Sequence, residues 1–196
     1  MRRLTAIPMA LVLAGTGTAV APTALAAAPP PPAVVQCPTG WGSLPRDLAA
    51  DNLRPLTDVR TGQHACYDRI VLDVPGTSPA HPAGYHLRYV TSVVQEGSGE
   101  PVPVGGGAIL DIVVVAPAYD PATGATTYPA HPGAPLPGVD LTGYRTLRDA
   151  RYAGSFEGRT QLALGLRARL PYRVFQLDDR LVIDIAHTWQ AALTVR

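Results

Sequence analysis

Apolar and polar residues alternate along most of this chain with the period of two that belongs to a strand, not the 3.6 of a helix. The pattern is clearest in Leu170–His187, LPYRVFQLDDRLVIDIAH, which predicts two strands, Tyr172–Leu177 and Arg180–Ala186, joined at Asp178–Asp179. Leu181, Ile183 and Ile185 then share one face of the second strand. Far upstream, Arg69–Asp73 (RIVLD) is a near-copy of Arg180–Asp184 (RLVID). Antiparallel pairing of the two copies sets Arg69 against Asp184 and Asp73 against Arg180, whereas parallel pairing in register sets like charges side by side. A cross-strand charge pair is worth only ~0.2–1 kcal/mol. Such pairs therefore select the register, while burial of Ile70, Leu72, Leu181 and Ile183 supplies the stability.

The same reading places strands at Pro55–Thr61, Tyr67–Val74, Gly84–Val90, Ala108–Val115, Tyr144–Phe156 and Arg159–Leu166. Ala108–Val115 is apolar enough to be buried on both faces, near the middle of a sheet. Tyr144–Phe156 and Arg159–Leu166 form a hairpin about Glu157–Gly158, with Leu162, Leu164 and Leu166 facing inward. Ser43–Asn52 carries a helix signal of two turns at most, with Ser43 as N-cap and Pro45 in the first turn. Residues 116–143 are broken by prolines and glycines and have no periodicity, a length uncommon for a structureless segment inside a compact domain. They are expected to form a surface excursion. The sum is an all-β fold, an antiparallel β-sandwich or partly open barrel of about 7–9 strands. One short N-terminal helix and one long Pro/Gly-rich loop complete it.

Composition changes this picture first at the N-terminus. Arg2 and Arg3, the apolar run Ile7–Val20 and the small-x-small triplet Ala24–Ala26 have the layout of a secretory signal over residues 1–26. The run is too short and too rich in Gly and Thr to span a bilayer. Thr16 stands where a lipid-bearing Cys would follow Leu13–Gly15, so the expectation is a released protein, secreted and extracellular or associated with the cell wall. Residues 27–36 make an Ala/Pro-rich leader, and 37–196 a single domain. Both cysteines, Cys37 and Cys66, fall in the exported part, where an oxidising compartment favours a disulfide between them.

All 16 basic residues are Arg, against 15 acidic ones. Without Arg2 and Arg3 the balance is 14 against 15, near neutrality, which argues against a dedicated nucleic-acid binder. The charges are not evenly spread. Arg145, Arg148, Arg151, Arg159, Arg167, Arg169 and Arg173 face only Asp149 and Glu157 within Arg145–Arg173, a balance of +5. Cys37–Tyr144 holds 5 Arg and 10 acids, a balance of −5. A basic face of this kind suits an anionic polymer, whose carboxylates or phosphates Arg binds bidentately. The alternative is a solvated face paired with the acidic half of the same domain.

Catalytic signatures are missing from the sequence. There is no phosphate loop (Gly105–Gly107 lacks the Lys and Ser/Thr), no HExxH, no CxxC and no GxSxG. His64, His81, His86, His131 and His187 are scattered, and His81 and His131 precede prolines in loop-like sequence. A metal site at the cysteines would need more ligands than His64 can add. Neither metal nor cofactor is expected. Asp73, Asp111, Asp184 and Glu157 could in principle supply paired carboxylates for glycoside hydrolysis. On alternating strands, salt-bridged or solvated faces explain the three aspartates equally well, and a turn explains Glu157.

YRVFQLDDRLVIDIAH resembles the closing strands of AMIN-like domains, and HACYDRIVLDVPG resembles their opening strands. GYHLRYV, the GSGEPVPV connector and the FEG turn lie between them in the expected order. The likeness covers roughly Leu56–His187. It implies a compact, non-catalytic β-domain of the bacterial cell envelope; AMIN domains proper target wall amidases and secretion machinery to peptidoglycan. This chain shows neither an amidase domain nor a lipid-anchor Cys. The leading expectation is a secreted, non-enzymatic β-domain that binds peptidoglycan or another anionic envelope polymer, with neither nucleic acid nor a stable membrane span. A protein-interaction module or inhibitor acting in the envelope through residues 116–143, and a small hydrolase, are the alternatives.

Overall fold

The computed structural model describes residues 36–189. The expected signal segment, the leader up to residue 35 and the last seven residues lie outside them. Eleven strands follow in chain order: β1 (Arg46–Leu48), β2 (Asp58–Gln63), β3 (Tyr67–Asp73), β4 (Tyr85–Val90), β5 (Val93–Val94), β6 (Pro101–Val102), β7 (Ala108–Val114), β8 (Leu147–Phe156), β9 (Arg159–Leu166), β10 (Tyr172–Leu177) and β11 (Arg180–Ala186). They build a five-stranded sheet, β1-β4-β7-β9-β8, a four-stranded sheet, β10-β11-β3-β2, and the small β5-β6 hairpin. Every pairing is antiparallel. The architecture is sandwich-like, with no closed barrel.

The near-copy segments are sheet neighbours. β3 and β11 pair with Arg69 opposite Asp184 and Asp73 opposite Arg180. Ile70, Leu72, Leu181, Ile183 and Ile185 on their inner side are fully buried, and so are Leu110, Ile112, Leu162 and Leu164 from the five-stranded sheet facing them. β7 is the middle strand of its sheet, and its last five residues are buried on both faces. The second face is covered by the β5-β6 hairpin, where Val93 and Val102 pack on Ala153 and Ala163. This cover needs Gly165, because a Cβ there would collide with the Gly105 carbonyl.

No helix forms among the described residues. The stretch expected to be a short helix, Ser43–Asn52, instead carries β1, which pairs with β4 through Arg46–Leu87, Asp47–His86 and Leu48–Tyr85. A two-turn helix cannot sustain itself without an apolar stripe to bury, and here Leu44 is 72% exposed and Leu48 36%. The backbone is better served by a sheet edge.

Residues 116–143 are a side wall instead of a surface excursion. Ala116, Ala118, Tyr128 and Leu136 belong to the main core. At one margin Leu56 donates to the Pro117 carbonyl and the Thr127 hydroxyl donates to the Leu56 carbonyl. At the other, Gly133 and Leu136 donate to the Tyr152 and Ala150 carbonyls of β8, and Tyr152 donates to Ala134. The segment thus spans from the stretch that leads into β2 to the edge of β8. Across the sandwich the N-terminal arm closes the opposite side. Cys37 is joined to Cys66 by a disulfide with Cα atoms 5.4 Å apart. Gly42 bridges to Tyr172, and the buried Tyr172 hydroxyl donates to Leu44 and Leu87.

Candidate functional site: an arginine-lined end of the sandwich

The antiparallel registers bring the starts of β3, β7, β8 and β10 and the ends of β2, β4, β9 and β11 to one end of the sandwich. Asp68 organises that end. Fully buried, it accepts hydrogen bonds from the Thr146 and Leu147 amides at 2.6 and 3.0 Å, and its other oxygen meets His187 Nε2 at 2.9 Å. The turn into β8 is thereby pinned to the four-stranded sheet, with Arg145 and Arg148 on its outside. The Arg167 amide donates to Thr146 O at 2.8 Å, and its guanidinium donates to His187 O.

Four arginines gather here without an acidic partner. Arg145 donates to the Ala65 carbonyl at 3.3 Å, and Arg148 to the carbonyls of Tyr144, Arg145 and Leu147. Arg169 donates to the Ser43 hydroxyl and carbonyl at 3.0 and 2.9 Å and lies over the Tyr89 ring, 5.1 Å from its centroid. The 58%-exposed Trp189 donates to the Arg169 carbonyl. Among the described residues no ion pair within 4.0 Å involves Arg145, Arg148, Arg167 or Arg169. Carbonyls hold these guanidiniums in place and leave their charge standing.

The other three arginines of the basic segment go elsewhere. Arg173 sits round the corner on the outer face of the four-stranded sheet. It shares Asp184 with Arg69 and stands 4.6 Å from the Trp41 ring centroid and 4.8 Å from that of Phe175. Arg151, midway along β8, is paired with Asp149 at 2.8 Å. Arg159 lies at the opposite end beside Glu96 and Glu157, at 3.8 and 3.9 Å. The sequence segment of +5 thus contributes four members to one end, a fifth to its flank, and two to other places.

The candidate carboxylates do not converge. Asp73 and Asp184 lie on the outer face of the four-stranded sheet, Asp111 on that of the five-stranded sheet, roughly 10 Å of sandwich core away or more. Asp184 is held by Arg69 and Arg173, Asp73 by Arg60 at 2.6 Å, and Asp111 by Gln161 at 3.0 Å. Glu157 occupies the β8-β9 turn at φ 47°. His81 and His131 are exposed, His64 stacks on Tyr67 at 4.5 Å, and His86 pairs with Asp47. The buried Asp68–His187 pair and the contact of Arg88 with Asp111 are not legible in the sequence. An alternating strand pattern marks which face a residue takes, but not which loop closes over it.

Two antiparallel sheets, sealed along both sides and bearing an arginine-lined end, define an all-β sandwich-like domain. The chain belongs to the AMIN-like domain family, whose pattern matches residues 54–187. That family is associated with the cell envelope and is generally non-catalytic. No curated protein and no solved structure matches the chain. The disulfide partner Cys37, Trp41, Ser43 and β1, the arm that fixes Arg169 and flanks Arg173, precede the matched residues.

Proposed function

We propose that this protein is an exported, non-catalytic β-domain that binds peptidoglycan or another anionic polymer of the cell envelope through the arginine end of its sandwich. The observation that carries the reading is the gathering of Arg145, Arg148, Arg167 and Arg169, each oriented by carbonyl or hydroxyl acceptors and none neutralised by a carboxylate among the described residues. Guanidiniums held this way keep free N–H groups for carboxylate or phosphate oxygens. Exposed guanidiniums without a carboxylate partner attract a polyanion electrostatically, although the exposed Asp140, which caps the Thr142 amide, stands on the turn that leads to Arg145. Arg173 and Trp41 extend the surface round the corner with a guanidinium and an aromatic ring.

Co-sedimentation of the purified protein with wall material at low and high salt tests the reading. Exposed charges are screened beyond ~8 Å at physiological ionic strength, so the bound fraction should fall steeply as salt rises. Replacing Arg145, Arg148 and Arg167 together by Ser should mimic high salt. Binding that ignores both salt and the triple substitution would overturn the proposal.

A further inference from the structure

The basic end is indented. An open cleft of about 820 Å³ lies where β4 ends and β7 begins, lined by Arg88, Thr91, Ser92, Gly106, Gly107 and Arg169, with Tyr89 and Ile109 beneath. That volume falls within the range of small-ligand sites. Arg88 belongs to the acidic part of the sequence and enters the site only through the fold.

Both arginines are aimed by neighbours that leave donors unused. Arg88 Nε lies 3.6 Å from Asp111, whose carboxylate is itself held by Gln161, and the Arg88 side chain is half exposed. Among the described residues no hydrogen bond occupies its terminal nitrogens. Arg169 uses Nε and Nη2 on Ser43, which leaves Nη1 without an acceptor among the described residues. Its plane is steadied by Tyr89, whose hydroxyl is fixed between the Leu170 carbonyl at 2.7 Å and the Leu170 amide at 3.0 Å. Thr91 and Ser92 add exposed hydroxyls at the rim, and the glycines at 106 and 107 keep one wall free of side chains.

The geometry points to a seat in this cleft for one oxyanion group, a carboxylate or a phosphodiester, carried on a polyhydroxylated chain. Two guanidiniums with free N–H groups bind the oxyanion, and Thr91 and Ser92 meet hydroxyls on either side of it. The inference rests on the reading of this end as polymer-binding and adds to it a discrete site with one-to-one stoichiometry. A diffuse basic surface would not fix a one-to-one stoichiometry.

Titration calorimetry on the purified protein tests it with two probes, an oligoglucuronate for the carboxylate and an oligo(glycerol phosphate) for the phosphodiester. At least one should bind saturably at one site. Arg88→Gln and Arg169→Gln should each weaken that probe at least about tenfold, the scale of one charge-assisted hydrogen bond. Arg159→Gln, at the far end, should leave it unchanged. Should Arg88→Gln lower the melting temperature, Ser92→Asp, which sets a negative charge at the rim with both arginines kept, must weaken the same probe. Saturable binding of neither probe, or binding undiminished in Arg88→Gln and in Ser92→Asp, overturns the seat. If wall material is still retained in a salt-dependent way, the polymer-binding reading survives that failure. If the wild-type protein does not sediment with wall material at all, it is that reading that fails.

Discussion

Asp184 is fully buried on a sheet face otherwise turned to solvent, and two guanidiniums make this possible. Arg69 reaches it with two hydrogen bonds of 2.6 and 2.9 Å, and Arg173 from the other neighbouring strand with 2.9 Å. The bond to Asp184 raises Arg69 above the ordinary guanidinium range. Either arginine alone still neutralises the carboxylate, so Arg69→Ala and Arg173→Ala should each cost about 1 kcal/mol. The double variant leaves a buried carboxylate unpaired and should lose roughly 3–5 kcal/mol, more than the sum. Urea unfolding of the three variants measures the difference, and strict additivity would contradict it. The Arg69–Asp184 pair was legible in the sequence because two like segments can pair without charge clashes in one direction only. The second pair formed in register but not as an ion pair: Asp73 is taken by Arg60 from β2, and Arg180 turns to the Asp178 carbonyl. Nothing in the strand pattern says which of two flanking arginines a carboxylate takes. Tyrosines add a pH dependence. Burial pushes the Tyr172 phenol up to about 12, and burial also raises Tyr128, Tyr152, Tyr89 and Tyr85. These groups keep their protons in the folded state while the unfolded chain loses them near pH 10, so stability is intact below about pH 10 and falls above it. Tyr172 alone should account for about 2–3 kcal/mol of loss by pH 12, and Tyr172→Phe should flatten the decline seen in denaturant midpoints.

Among the elements, the N-terminal arm has the most consequence for the site. It is held by one disulfide, the bridge from Gly42 to Tyr172 and the three pairs of β1. A loop with a sequence separation of 29 should contribute about 3–4 kcal/mol through the disulfide in the chain-entropy model. Cys37→Ser with Cys66→Ser should therefore lower the denaturation midpoint. It should also broaden the indole fluorescence of Trp41 as its packing against Arg173 loosens. A pair of variants with unchanged midpoint would show that the bridge and β1 hold the arm unaided. The disulfide was legible in the expected exported compartment and the even cysteine count, but the arm read as a helix, because capping residues at Ser43 and Pro45 are compatible with a turn of any kind. Long strands such as β3, β9 and β11 were legible nearly to the residue, since each alternates over several positions. β5 and β6, two residues each, have no periodicity to read. They exist because Gly165 lets the Gly105 loop lie on the sheet, and Gly165→Ala should destabilise the domain by about 1–3 kcal/mol by lifting that cover. Thermal melting of the variant tests this.

At the scale of the whole molecule, the fold sorts charge that the sequence only lists in order. Antiparallel strands return the chain to the same end every second crossing, so Arg145, Arg148, Arg167 and Arg169 meet although up to two dozen positions separate them. Arg88 joins them from a different stretch altogether. The same sorting sends Arg159 to the far end, one strand-length from Arg167. The long segment 116–143 has a consequence of another sort. β8 is the longest strand and ends its sheet. Bare, its row of amides and carbonyls would be a template on which the next molecule could add a strand, and then another. The segment occupies that row with three backbone hydrogen bonds. It does so with Pro129, Pro132, Pro135 and Pro137 spaced through it, residues that have no N–H to offer onward. What reads in the sequence as broken periodicity is thus a terminator for sheet growth. A variant with residues 129–137 replaced by a short Gly/Ser link should stay soluble only when dilute and shift to large assemblies in size-exclusion chromatography as concentration rises, while the intact chain should elute unchanged. On the polymer-binding function proposed above, the capacity to crowd along a surface without polymerising itself rests on this segment and its four prolines.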